Sequence, residues 1–108
     1  ILLPRSLPKA DPSWFAIPIT IRETAWLSKK DFVTYLESKL IETRMLFAGN
    51  ILKQPGYKDI KHRISGDLKY TDGVLERTFF LGVYPGITKE KLEYMIKSID
   101  SFFENNIK

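Results

Sequence analysis

A small α+β fold is predicted by three features of this chain: short apolar stretches that alternate with period two, capped segments whose apolar residues recur at helical spacing, and the interleaving of the two kinds. The expected order is strand, helix, strand, long loop, short helix, strand, helix. It should fold as a small, mainly antiparallel three-stranded sheet with helices on one face. The first strand runs from Trp14 to Ile21, with Phe15, Ile17, Ile19 and Ile21 on one side and Trp14, Ala16, Pro18 and Thr20 on the other. Pro18 has no N–H to give a ladder, so this strand belongs at an edge or in a bulge. Ser28 is a good N-cap with Asp31 three residues on, and Phe32, Leu36 and Leu40 recur every four residues, which predicts an amphipathic helix over 29–39.

Glu42 to Phe47 alternates again, with Thr43, Met45 and Phe47 facing one way, and predicts the second strand. A turn-rich stretch follows from Ala48 through Gly49-Asn50, Gln54-Pro55-Gly56 and Ser65-Gly66-Asp67, longer than an ordinary connection and of a length often put to functional use. Thr71 or Asp72 caps a short helical turn, and the aromatic and β-branched run Phe79–Tyr84 predicts the third strand, ended by Pro85-Gly86. Thr88 caps the last helix, along which Leu92, Met95, Ile96, Ile99, Phe102 and Phe103 form one apolar face. Pro4, Pro8 and Pro12 make residues 1–12 a linker or extended arm ahead of one domain, 13–108.

The chain has 108 residues, enough for a single core, and contains no cysteine, which removes disulfides, thiolate metal sites and a cysteine nucleophile from this segment. Its formal charge of +4 is diffuse: residues 1–54 hold 8 basic against 5 acidic residues, and residues 55–108 hold 9 against 8. Such a distribution argues against nucleic acid as a partner. No apolar run approaches the ~20 residues that a membrane-spanning helix needs. The chain opens on Ile1 rather than methionine, without the parts of a signal peptide, and is expected to be a piece of a longer polypeptide.

His62 is the sole histidine and sits among Lys58, Lys61 and Arg63, where positive charge opposes a divalent ion and no second nitrogen ligand exists. It is expected to be a surface loop residue, in no catalytic or metal role. Tyr57, Tyr70, Tyr84, Tyr94, Trp14 and Trp26 are scattered rather than interleaved with basic residues, which favours packing over base stacking. Asp67 and Asp72 read as turn and capping residues. The glycines occur singly, in no phosphate-binding fingerprint. Arg44 stands out, because a strand end leading into a long loop can aim a guanidinium fork at a carboxylate or phosphate; its alternative is an ion pair with Glu42 or with the following helix.

The string Ile41-Glu42-Thr43-Arg44-Met45-Leu46-Phe47-Ala48-Gly49-Asn50, followed by Lys53-Gln54-Pro55, does not stand alone. With Ser13-Trp14-Phe15-Ala16-Ile17-Pro18-Ile19-Thr20, Gly66-Asp67-Leu68, Thr71-Asp72 and Gly82-Val83-Tyr84-Pro85-Gly86-Ile87-Thr88, it resembles the C-terminal domain of the DegT/DnrJ/EryC1/StrS sugar aminotransferases. Within that family it is most similar to the CDP-4-keto-6-deoxyglucose 3-dehydratases of lipopolysaccharide dideoxysugar synthesis. The resemblance implies the C-terminal small domain of a fold-type I enzyme that uses pyridoxal or pyridoxamine phosphate (PLP or PMP). It also implies a missing N-terminal large domain, a homodimeric parent in the cytoplasm, a nucleotide-sugar substrate, an iron–sulfur cluster and a partner reductase. The cofactor and cluster residues would lie in the large domain, so no catalytic, cofactor or metal residue is expected in this segment, which alone should be inactive. Arg44, Phe47 and Asn50 match the motif and are expected to line the substrate pocket. A nucleotide-sugar aminotransferase of the same family, or an independent anion- or protein-binding module, is the alternative.

Overall fold

The computed structural model describes residues 1–106, so the last two residues of the expected domain, Ile107 and Lys108, lie outside the described part. Strands β1 (Ala16–Thr20), β2 (Thr43–Met45) and β3 (Thr78–Gly82) form one antiparallel sheet in the order β1-β3-β2. Helices α1 (Lys29–Ser38), α2 (Lys69–Arg77) and α3 (Lys89–Asn106) complete the fold, with 3₁₀ turns at Ile51–Lys53 and Pro55–Tyr57.

β1 is an edge strand, as Pro18 requires. Thr20 sends its N–H outward to Leu2 (3.1 Å), and Pro18, two residues earlier, points the same way, so its missing donor costs the β1–β3 ladder nothing. The beginning of the proline-rich arm therefore lies along the outer edge of β1. Ser28 caps α1 as expected: its hydroxyl accepts from the Asp31 amide (3.1 Å) and donates to the Asp31 carboxylate (2.7 Å).

Register sorts the sheet into two faces. Ile17, Ile19, Phe79, Leu81, Thr43 and Met45 share one; Ala16, Pro18, Thr20, Thr78, Phe80, Gly82 and Arg44 share the other. The first carries the core, where Ile19, Phe79 and Leu81 meet Phe32 and Leu36 of α1 and Phe102 of α3. Phe32 is its hub, with ring centroids 5.7 Å from Phe79, 4.8 Å from Phe102 and 5.4 Å from Phe103.

Three elements differ from expectation. β2 ends at Met45 because the chain reverses there, the Phe47 amide donating back to the Met45 carbonyl (2.7 Å). α2 is a nine-residue helix that starts at Lys69, its first turn closed by the Asp72 amide on the Leu68 carbonyl (2.8 Å), so Asp72 sits inside the helix and is not its cap. β3 starts at Thr78, directly after α2, and stops at Gly82, leaving Val83 and Tyr84 outside the sheet. Phe15 also departs from its expected face. It precedes β1, free of the strand's alternation, and places its ring 5.9 Å from Phe80 on the side away from the core.

Candidate functional site

The second face of the sheet is built around Phe80, which is buried while the two rings beside it are open to solvent: Phe15 is 73% exposed and Phe47 77% exposed. Phe47 lies with its centroid 6.4 Å from that of Phe80. Arg44 stands opposite Phe80 in the β2–β3 register. A groove of about 870 Å³ opens here, lined by Phe15, Arg44 and Phe80 and continued by Tyr84, Lys91 and Tyr94. That volume falls within the usual range for small-molecule sites, and the mixture of rings with a few charged groups is typical of them.

Arg44 engages Glu42, its Nε donating to the Glu42 carboxylate (2.8 Å) while an Nη group closes the ion pair. Both side chains are largely exposed, so the pair holds the guanidinium in place without making it unavailable. Phe47 is held in the left-handed region at φ 48°, unusual for a bulky residue. Two residues on, Gly49 is also left-handed at φ 58°, and a Cβ there would stand 2.7 Å from the Leu75 Cβ of α2. Only glycine meets both conditions.

Asn50 differs from the other two. It is buried, with its Oδ1 accepting from the Leu52 amide (3.0 Å) and its Nδ2 donating to Asp72 (2.6 Å). Lys53 adds a 3.1 Å ion pair to the same Asp72 oxygen, and Gln54 reaches back to the Ala48 carbonyl (2.9 Å). The Asp72 carboxyl is held below the usual carboxylate range, chiefly by the Asn50 amide and then by Lys53, while hydrogen bonding to Asp72 raises the Lys53 ammonium. The structure thus brings Arg44 and Phe47 beside Phe80, with Arg44 lining the groove and Phe47 next to it outside that lining, and places Asn50 behind the loop, with its side-chain bonds turned inward.

Phe80 and Phe15 escape a local reading because each resembles an ordinary strand residue, and only register puts Arg44 beside Phe80. His62 lies on the exposed loop with Nδ1 2.7 Å from the Ile60 carbonyl. Trp26 stacks on Phe102 at 6.3 Å, whereas Tyr94 lines the groove and donates its hydroxyl to the Lys39 carbonyl (3.1 Å). Among the described residues, no group of His, Cys, Asp or Glu side chains is arranged to hold a metal ion, and no helix is long and apolar enough to cross a membrane.

The chain is 42% identical over 104 residues to the lipopolysaccharide biosynthesis protein RfbH of Salmonella typhimurium strain LT2, covering 96% of this chain and 24% of that protein. It is 44% identical over 102 residues to a dTDP-4-dehydro-2,6-dideoxy-D-glucose 3-dehydratase of Saccharopolyspora spinosa, covering 94% of this chain and 22% of that protein. Its fold matches the crystal structure of a mutant GDP-4-keto-6-deoxymannose-3-dehydratase (ColD) with bound GDP-perosamine, with a TM-score of 0.76, 20% identity, and coverage of 90% of this chain and 25% of that one. The chain therefore spans about a quarter of the length of these relatives. Residues 2–100 match the model of the DegT/DnrJ/EryC1/StrS aminotransferase family, and the chain belongs to that family.

Proposed function

We propose that these residues are the C-terminal small domain of a nucleotide-sugar 3-dehydratase of the CDP-4-keto-6-deoxyglucose type, and that the Phe80 face is its share of the substrate pocket. The observation that carries this reading is the cluster on that face: two exposed rings flank a buried one, with a guanidinium in register beside it. Ring faces suit the C–H faces of a sugar, and a guanidinium fork suits phosphate oxygens. Arg44 would exchange Glu42 for the phosphate, a small cost for an exposed ion pair. The name of the Saccharopolyspora relative and the bound sugar nucleotide of the structural neighbour support the same substrate class, and the name of the Salmonella relative supports a place in lipopolysaccharide biosynthesis.

The parent's cofactor in this reading is pyridoxal or pyridoxamine phosphate, which supplies an electron sink. The residues of this chain do not fit a cradle for it. Lys29, the lysine whose ammonium is lowered by burial, spends its Nζ on the Leu75 carbonyl (2.6 Å), and His62 is exposed on its loop. This reading leaves the cofactor contacts to the rest of the parent. The same reading assigns to the parent an iron–sulfur cluster, a homodimeric assembly, a partner reductase and a cytoplasmic location. A second reading, a sugar aminotransferase, is favoured by the family's own description.

The test is a hybrid enzyme in which residues 1–108 replace the matching quarter of the Salmonella protein. Arg44→Ala and Phe47→Ala are each expected to raise KM for the nucleotide sugar about tenfold, with kcat within about threefold of the unmutated hybrid. Unchanged KM in both folded variants would refute the pocket assignment.

A further inference from the structure

We propose that Asp72 is a positioning residue: with Asn50 and Lys53 it latches the 46–54 loop to α2 and so presents Phe47 in its left-handed conformation. What Phe47 is presented to rests on the substrate reading above; the latch itself does not. A phenylalanine at positive φ, with most of its ring in solvent, is disfavoured both by its backbone and by its hydration. Such a conformation persists only where the surrounding structure over-determines it.

The loop supplies that determination through contacts distant in sequence. The Asn50 side chain spans from the Leu52 amide to Asp72, 22 residues away. Lys53 pairs with the same Asp72 oxygen, and its ammonium also lies 3.7 Å from Glu76, one turn further along α2. Gly49 lets the backbone close on Leu75 of the same helix. Neither Asp72 nor Phe47 lines the groove itself, so any influence Asp72 has on a ligand there must pass through the loop and the contact of Phe47 with Phe80.

The experiment compares Asp72→Ala and Asp72→Asn by NMR in the 108-residue chain. In the unmutated protein Phe47 should show the short intraresidue HN–Hα distance of a positive φ, together with contacts to the Phe80 ring. Asp72→Ala is expected to abolish both signatures and to speed exchange of the Leu52 amide at least about tenfold, with the Phe79 and Leu81 amides unchanged. Asp72→Asn keeps an acceptor for Asn50 and should restore the Phe47 signatures. Retention of both signatures in Asp72→Ala would overturn the latch. Should that variant fail to fold, Asn50→Ala and Lys53→Met probe the same bonds, and intact Phe47 signatures in both would overturn it equally.

In the hybrid enzyme, Asp72→Ala should then raise KM for the nucleotide sugar with little change in kcat. Lost Phe47 signatures with an unchanged KM would leave the latch standing and refute Phe47 as a substrate contact.

Discussion

Leu40 shows how a single backbone angle can be bought at a price. It follows α1 at φ 59° and is 94% exposed, while its neighbours close a Schellman motif: the Leu40 amide donates to Glu37 and the Ile41 amide to Leu36, each at 3.0 Å. Ile41 and Leu36 then meet in the core. The motif calls for glycine, so Leu40→Gly should stabilise the domain by about 0.5–1 kcal/mol, the left-handed strain relieved less the entropy glycine adds to the unfolded chain. Chemical denaturation checks this, and a lower midpoint would contradict it. Gly49 is the converse case. Gly49→Ala should destabilise by about 2 kcal/mol or more, because the new methyl meets both the wrong φ and Leu75.

At the scale of elements, the join between α1 and β2 carries a device that local patterning does not reveal. One oxygen of Glu37 accepts from both the amide and the hydroxyl of Thr43, at 2.7 Å each, which occupies a donor of the edge strand that would otherwise be open to another chain. The Thr43 hydroxyl, then its amide, and more weakly the Arg44 charge hold the Glu37 carboxyl below the usual carboxylate range. A depressed folded-state value means the contribution is complete above the unfolded value of about 4.3 and disappears as pH falls through the lower folded value. Thermal midpoints should therefore fall in that acid window, and Glu37→Gln should fall less steeply; identical slopes would contradict the clamp.

The helices most legible in the sequence were those fixed by near neighbours. Ser28 caps α1 within three residues, and Thr88 accepts from the Lys91 amide (3.4 Å) at the start of α3. The left-handed turn at Gly49 and the place of Asn50 depend on Leu75 and Asp72, more than twenty residues away, which no local period encodes. Arg44 and Phe47 were legible as a motif, whereas the Phe80 ring that joins them was visible only through strand register.

For the whole molecule, one aromatic core holds α1 and α3 to the sheet, and Phe32 touches most of its rings. Phe32→Ala should cost about 3–5 kcal/mol, a large share of the 5–15 kcal/mol typical of such domains, and would be read as a collapse of the unfolding midpoint. That packing presents the opposite face of the sheet as one surface, on which the functional reading depends. The most direct test is product analysis of a second hybrid, in which residues 1–108 replace the matching quarter of the Saccharopolyspora 3-dehydratase, given dTDP-4-dehydro-2,6-dideoxy-D-glucose. Loss of the 3-hydroxyl at a rate within about tenfold of the unaltered Saccharopolyspora enzyme is the predicted result. A folded, fully loaded hybrid that binds the nucleotide sugar and leaves its 3-hydroxyl in place would contradict the account.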